Sequence, residues 1–106
     1  MKLELDAVIK DIDEKPIKKD KDEKEDLTLK DVCINSLLAM FDEEKHDDGT
    51  KKVSRFTLAM KLQGGDGDVT VEETATIKER IGKMYMTVIV GRAYALIEGI
   101  KGKKDK

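Results

Sequence analysis

Thr70-Val71-Glu72-Glu73-Thr74-Ala75-Thr76-Ile77-Lys78-Glu79-Arg80-Ile81-Gly82-Lys83-Met84-Tyr85 is the stretch from which the rest of the chain is read. Thr70 with Glu73 three residues on forms a capping box, in which each side chain bonds the other residue's backbone N–H and satisfies amides that a first helical turn leaves bare. Glu72 and Glu73 also put negative charge where the helix dipole is positive. Thr74, Ile77, Ile81, Met84 and Tyr85 then share one face, with Lys78, Glu79, Arg80 and Lys83 mostly on the other, which predicts an amphipathic helix. Gly82 in its interior costs about 1 kcal/mol relative to Ala, so a close approach is expected there.

A similar signal stands upstream. Thr28 and Asp31 approximate a capping box, with Leu27 and Val32 placed as a hydrophobic staple. Leu29, Val32, Cys33, Leu37, Met40 and Phe41 have helical spacing, and Ile34 and Leu38 add a second apolar stripe. This first helix should therefore be the most buried element and end near Phe41. Asp42 to Gly49 reads as an acidic loop. A second helix is expected from about Lys51 to Gln63, with Val53, Phe56 and Met60 beside Leu58, Ala59 and Leu62, stopped by Gly64-Gly65. Lys51 and Lys52 oppose its dipole, so they serve solubility or binding. Beyond Tyr85, Met86 to Val90 fits a strand as well as a helix. Ile89, Ala93, Leu96, Ile97 and Ile100 return to helical spacing, ending at Gly99 and Gly102.

Towards the start, Leu3, Leu5, Ala7 and Ile9 alternate with Lys2, Glu4, Asp6 and Lys10, the period of a strand with one face on a core. Asp13-Glu14-Lys15-Pro16 reads as a turn that returns Ile17 as a hairpin limb. Every residue from Lys18 to Asp26 is charged, which predicts a solvated, mobile loop, and Lys101 to Lys106 a disordered basic tail. The expected fold is α+β and mostly α: an N-terminal β-strand or hairpin followed by about four helices in two helical hairpins. Residues 1–100 should form a single small domain round Leu29, Val32, Leu37, Phe56, Met60, Ile77, Ile81, Leu96 and Ile97.

Composition limits the function. The 106 residues carry 21 Lys and Arg against 23 Asp and Glu, a net charge of -2, and so set up no global field to gather nucleic acid or anionic lipid. One cysteine, Cys33, excludes an intrachain disulfide, no apolar run approaches the roughly 18–20 residues of a membrane span, and nothing resembles a secretory leader. A cytoplasmic protein is expected.

Few residues suggest chemistry. Leu62 to Glu73 looks like a calcium-binding EF-hand loop at Asp66, Gly67, Val69 and Glu73, but Leu62 and Gly64 stand where oxygen ligands are required. His46, the sole histidine, has no second nitrogen or sulfur ligand at metal-site spacing. Cys33 lies on the apolar face of its helix, where a thiol is normally inert. No enzymatic activity, cofactor or metal is therefore expected. For contact with nucleic acid or an anionic partner the candidates are Lys51, Lys52, Arg55 and Lys61 with Lys103 and Lys104 of the tail, although no aromatic platform accompanies them. For a protein interface, including a homo-oligomer, they are Ile34, Leu38, Val90 and Tyr94, which lie off the main apolar stripes.

Leu27 to Val32 with Leu37-Leu38-Ala39, Arg55 to Lys61, Thr70 to Glu73 with Ile81 to Tyr85, Val88 to Tyr94 and the opening Leu3 to Ile9 together resemble a group of small bacteriophage and prophage proteins. The group has no assigned activity or catalytic residues to carry over. The resemblance implies a phage-encoded accessory or assembly protein in a bacterial cytoplasm, with Gly82 and Gly91 as packing positions. The function expected is thus non-enzymatic, through protein contacts with itself or a host or phage protein. A small nucleic-acid-binding regulator is the alternative.

Overall fold

A computed structural model of the chain describes residues 2–19 and 24–99. Four α-helices are present among them: α1 (Leu29–Leu38), α2 (Gly49–Gln63), α3 (Val71–Met84) and α4 (Thr87–Glu98), with a 3₁₀ turn at Asp42–Glu44. Both threonine caps form as their spacing requires. Thr28 Oγ1 accepts from Asp31 N at 3.3 Å, and Thr70 Oγ1 accepts from Glu73 N at 3.0 Å. α1 is the hub, since it packs against all three other helices, and α3 packs also on α4. Leu29, Val32, Cys33 and Leu37 of α1 meet Leu58, Ala59 and Leu62 of α2, Ile77 and Ile81 of α3, and Ile89, Ala93 and Ile97 of α4 in one core.

The expected N-terminal strand or hairpin is corrected: the described residues contain no β-strand or sheet, only isolated bridges, and the fold is helical. The alternating side chains are buried as their period implies, with Leu3, Leu5 and Ile9 inside. What fails is the backbone ladder. A turn in which Ala7 N–H donates to Glu4 O (3.1 Å) bends the segment, so that the Leu5 and Ala7 carbonyls serve a helix, while the Ile9 carbonyl still accepts from Ile17 N at 2.9 Å without a continuous ladder forming. Lys30 N–H donates to Leu5 O (3.0 Å) and Leu29 N–H to Ala7 O (2.8 Å), so the segment caps the bare first-turn amides of α1.

Gly67 explains a glycine that the calcium-loop resemblance had offered to a metal. A Cβ there would lie 2.6 Å from Leu3 O, and Leu3 N–H donates to Gly67 O at 2.8 Å, so only glycine lets the two backbones meet. The charged run Lys18 to Asp26 is tied at its flanks by a Lys18–Asp26 ion pair of 2.5 Å and by Lys19 N–H to Glu25 O at 2.9 Å. Residues 20–23 between them, and the tail with Lys103 and Lys104, lie outside the described residues.

Two boundaries differ from expectation, and one open segment is resolved. α1 stops at Leu38 and Ala39 turns extended, so Met40 and Phe41 leave the helix. α2 begins two residues early because Asp48 caps it, accepting from Lys51 N at 3.1 Å. Met86 to Val90 resolves in favour of α4, whose helix starts at Thr87.

Candidate functional site

The surface formed by the end of α1, the following loop and the outer side of α2 holds both the most deeply committed charge and a concentration of exposed apolar side chains. It starts from where α1 ends. A helix terminus leaves carbonyls without intrahelical partners, and here an arginine from α3 supplies them. Arg80 Nε donates to Ser36 O at 2.7 Å and its Nη2 to Ala39 O, while its Nη1 bonds Glu44. The guanidinium carbon lies 4.8 Å from the centre of the Phe41 ring, in cation–π contact. Arg80 is only 4% exposed, yet its fork is spent on two carbonyls and a carboxylate. No buried side-chain nitrogen or oxygen among the described residues lacks a hydrogen-bond partner.

The clasp extends outward. Glu44 also accepts from Phe41 N at 3.4 Å, closing the 3₁₀ turn, and stands 4.0 Å from Arg55 of α2. Arg55 in turn pairs with Asp47 at 3.3 Å, and Lys83 pairs with Glu43. Arg80 beside Glu44 holds that carboxyl below its ordinary range, with the hydrogen bond as the leading cause. Lys83 lowers Glu43 in the same way. The loop from Ala39 to Asp47 is therefore fastened to α2 and α3 by charge.

Fastened so, the loop leaves apolar side chains outside. Leu38, Met40, Val53, Phe56 and Met60 are each more than half exposed. On α2, Val53, Phe56 and Met60 stand at i, i+3 and i+7, one stripe along the helix. Leu38, Ala39, Met40 and Phe56, with Lys52 and Arg55, line a shared recess of about 160 Å³. The placement of Phe56 and Met60 in the core is thereby corrected. α2 carries two apolar rows, and α1 can cover only one of them, which is Leu58, Ala59 and Leu62.

The four interface candidates separate. Leu38 is exposed on this surface, whereas Ile34, Val90 and Tyr94 are partly buried and pack against the core. Tyr94 is further committed, its hydroxyl donating to Lys78 O at 2.6 Å. Its oxygen stands 2.9 Å from where a Cβ at Gly82 would be, which is the close approach that Gly82 implied. A Cβ at Gly91 would meet nothing within 4 Å, so no packing contact explains that glycine.

The basic candidates separate too. Arg55 is engaged with Asp47 and Glu44, and Lys61 lies 4.0 Å from Glu73. Lys51 and Lys52 are exposed, with no ion pair among the described residues. The calcium-loop carboxylates already serve the backbone, one in a cap and one in a turn: Glu73 Oε1 accepts from Thr70 N at 2.9 Å and Asp66 Oδ1 from Asp68 N at 3.1 Å. Burial pushes the Cys33 thiol up to about 12, which keeps it protonated and unreactive at neutral pH. His46 stands exposed in the acidic loop.

Sequence reasoning placed Arg80 on the solvent face of α3. The signal was there, because Ile77, Arg80, Ile81 and Met84 fall at i, i+3, i+4 and i+7, putting the arginine on the apolar stripe itself. Comparison with known proteins finds no matching family model, no similar curated protein and no similar solved structure. No helix among the described residues is long and apolar enough to cross a membrane.

Proposed function

We propose that the chain is a non-enzymatic accessory protein that acts through protein contacts at the α1–α2 surface. The observation that carries this reading is the adjacency of Leu38, Met40 and Phe56 round one recess, beside a loop that the Arg80 clasp holds in place. Contiguous apolar surface costs solubility, and a fold that fixes it outward instead of collapsing it is suited to covering it with a partner. Methionines at 40 and 60 add pliable side chains that adapt to another surface. The resemblance to small phage and prophage proteins supports giving this role to a phage-encoded protein of the bacterial cytoplasm.

The test is site-specific photo-cross-linking in the producing cell, with p-benzoyl-phenylalanine replacing Phe56 in one variant and Val71 in another. Val71 is exposed but on α3, away from the recess. A discrete protein adduct from position 56 and none from position 71 is expected. Equal adducts from both positions, or none from position 56, would overturn the reading.

The exposed Lys51 and Lys52 favour a second reading, contact with nucleic-acid phosphates. Two cations would release few counterions, so the affinity should fall with salt on a log–log slope of only about -2. A mobility shift with that slope, abolished by Lys51→Glu and Lys52→Glu together, would support it.

A further inference from the structure

The charges round the apolar recess select its partner, an inference that rests on the protein-contact reading above. α2 has no Asp or Glu between Gly49 and Gln63. Of the acids near it, Glu44 pairs with Arg80, Asp47 with Arg55 and Glu73 with Lys61, Asp48 is spent capping the helix at Lys51 N, and Glu72 lines a separate recess with Ser54 and Leu58. Lys52 lines the recess beside Phe56 and has no ion pair among the described residues, and Lys51 precedes it. Both cations sit in the first turn of α2, where the helix dipole adds positive potential that the capping Asp48 carboxylate offsets in part. The surface thus joins an apolar stripe to two lysines that form no ion pair among the described residues.

We infer that the occupant is an acidic amphipathic helix of another protein. Its apolar side chains would seat on Val53, Phe56 and Met60, and its carboxylates would stand against Lys52. A helix fits the stripe because Val53, Phe56 and Met60 repeat at the spacing that helix ridges and grooves share. A recess of about 160 Å³ admits an anchoring side chain and falls short of the roughly 300–1,000 Å³ typical of small-molecule sites. A second copy of this chain docking through this same surface would cover the apolar area but bring the same basic helix with no carboxylate on it. An acidic partner satisfies both features of the surface, and opposite charge also speeds and orients docking.

Fluorescence anisotropy with two labelled synthetic peptides tests this on the full chain. Both carry leucines at i, i+3, i+4 and i+7; one has glutamates flanking the leucine face and the other lysines. The glutamate peptide should bind at least tenfold more tightly, weaken as salt is raised, and lose that preference with Lys52→Glu. Phe56→Ser should abolish binding of both, with a circular dichroism melt confirming that the variant folds. Equal affinities for the two peptides, or binding of neither, would overturn the acidic-helix inference while the cross-linking at position 56 could still succeed. Concentration-dependent dimerisation in sedimentation velocity, removed by Phe56→Ser, would likewise overturn it and make a second copy the occupant. Failure of the cross-linking itself would remove the contact reading beneath it.

Discussion

Arg80 on the inner side of α3 and Phe56 on the outer side of α2 exchange the places that hydropathy assigns them. The guanidinium is 4% exposed and the phenyl ring 55% exposed. Burying a charge is expensive unless its hydrogen-bonding capacity is met, and Arg80 meets it with Ser36 O, Ala39 O and Glu44. Phe56 would gain by burial, but α1 already covers the adjoining row of Leu58, Ala59 and Leu62. What decides burial in a chain this small is the availability of a matching neighbour. The charged residue serves the fold, and the apolar one is left outside it, open to the contact proposed above.

The largest effect should come from breaking the inner half of this contrast. Arg80→Met leaves the α1 carbonyls and Glu44 without their donor, and should cost about 3 kcal/mol in urea unfolding. Arg80→Lys should recover only part of this, because an ammonium cannot span the same three acceptors. A loss within error for Arg80→Met would dissolve the contrast. Acid sharpens the same half. The Glu44 carboxyl is held below its ordinary value of 4.5 in the folded chain by its hydrogen bond from Arg80. Its contribution is therefore fully present above that pH and lost as pH falls through the lowered folded value. Stability measured from pH 6 to pH 3 should drop more steeply in the natural chain than in Glu44→Gln.

An intermediate effect tests how closely α3 and α4 meet. Gly82→Ala gains helix propensity of about 1 kcal/mol, but its Cβ would stand 2.9 Å from the Tyr94 oxygen, which the bond to Lys78 O holds in place. It should destabilise the natural chain and stabilise a Tyr94→Phe background, so the sign of the Gly82→Ala effect should reverse between the two in a double-mutant cycle. Equal effects in both backgrounds would deny the contact.

Much of the fold is written in local spacing. The caps at Thr28 and Thr70 and the stripes of α1 and α3 follow from contacts within a few residues, where sequence and geometry coincide. The N-terminal segment misled because its period of two was true of its side chains but silent about its backbone, whose carbonyls at Leu5 and Ala7 turn to the start of α1. The candidate surface was harder still. Leu38 was legible as an off-stripe residue, but Phe56 and Met60 were not, because two apolar rows on α2 compete for one neighbour and only tertiary packing chooses between them. Arg80 hid for a related reason, since its charge spoke for solvent while its i+3 spacing from Ile77 spoke for the core.

The smallest effect is the most direct test. Urea unfolding of Phe56→Ser asks whether the ring stands outside a folded chain ready for a partner or forms part of the core. An exposed ring predicts a change within about 0.5 kcal/mol, with the native circular dichroism kept. A loss of about 3 kcal/mol or more, the range of core phenylalanine truncations, would contradict it and return Phe56 to the interior.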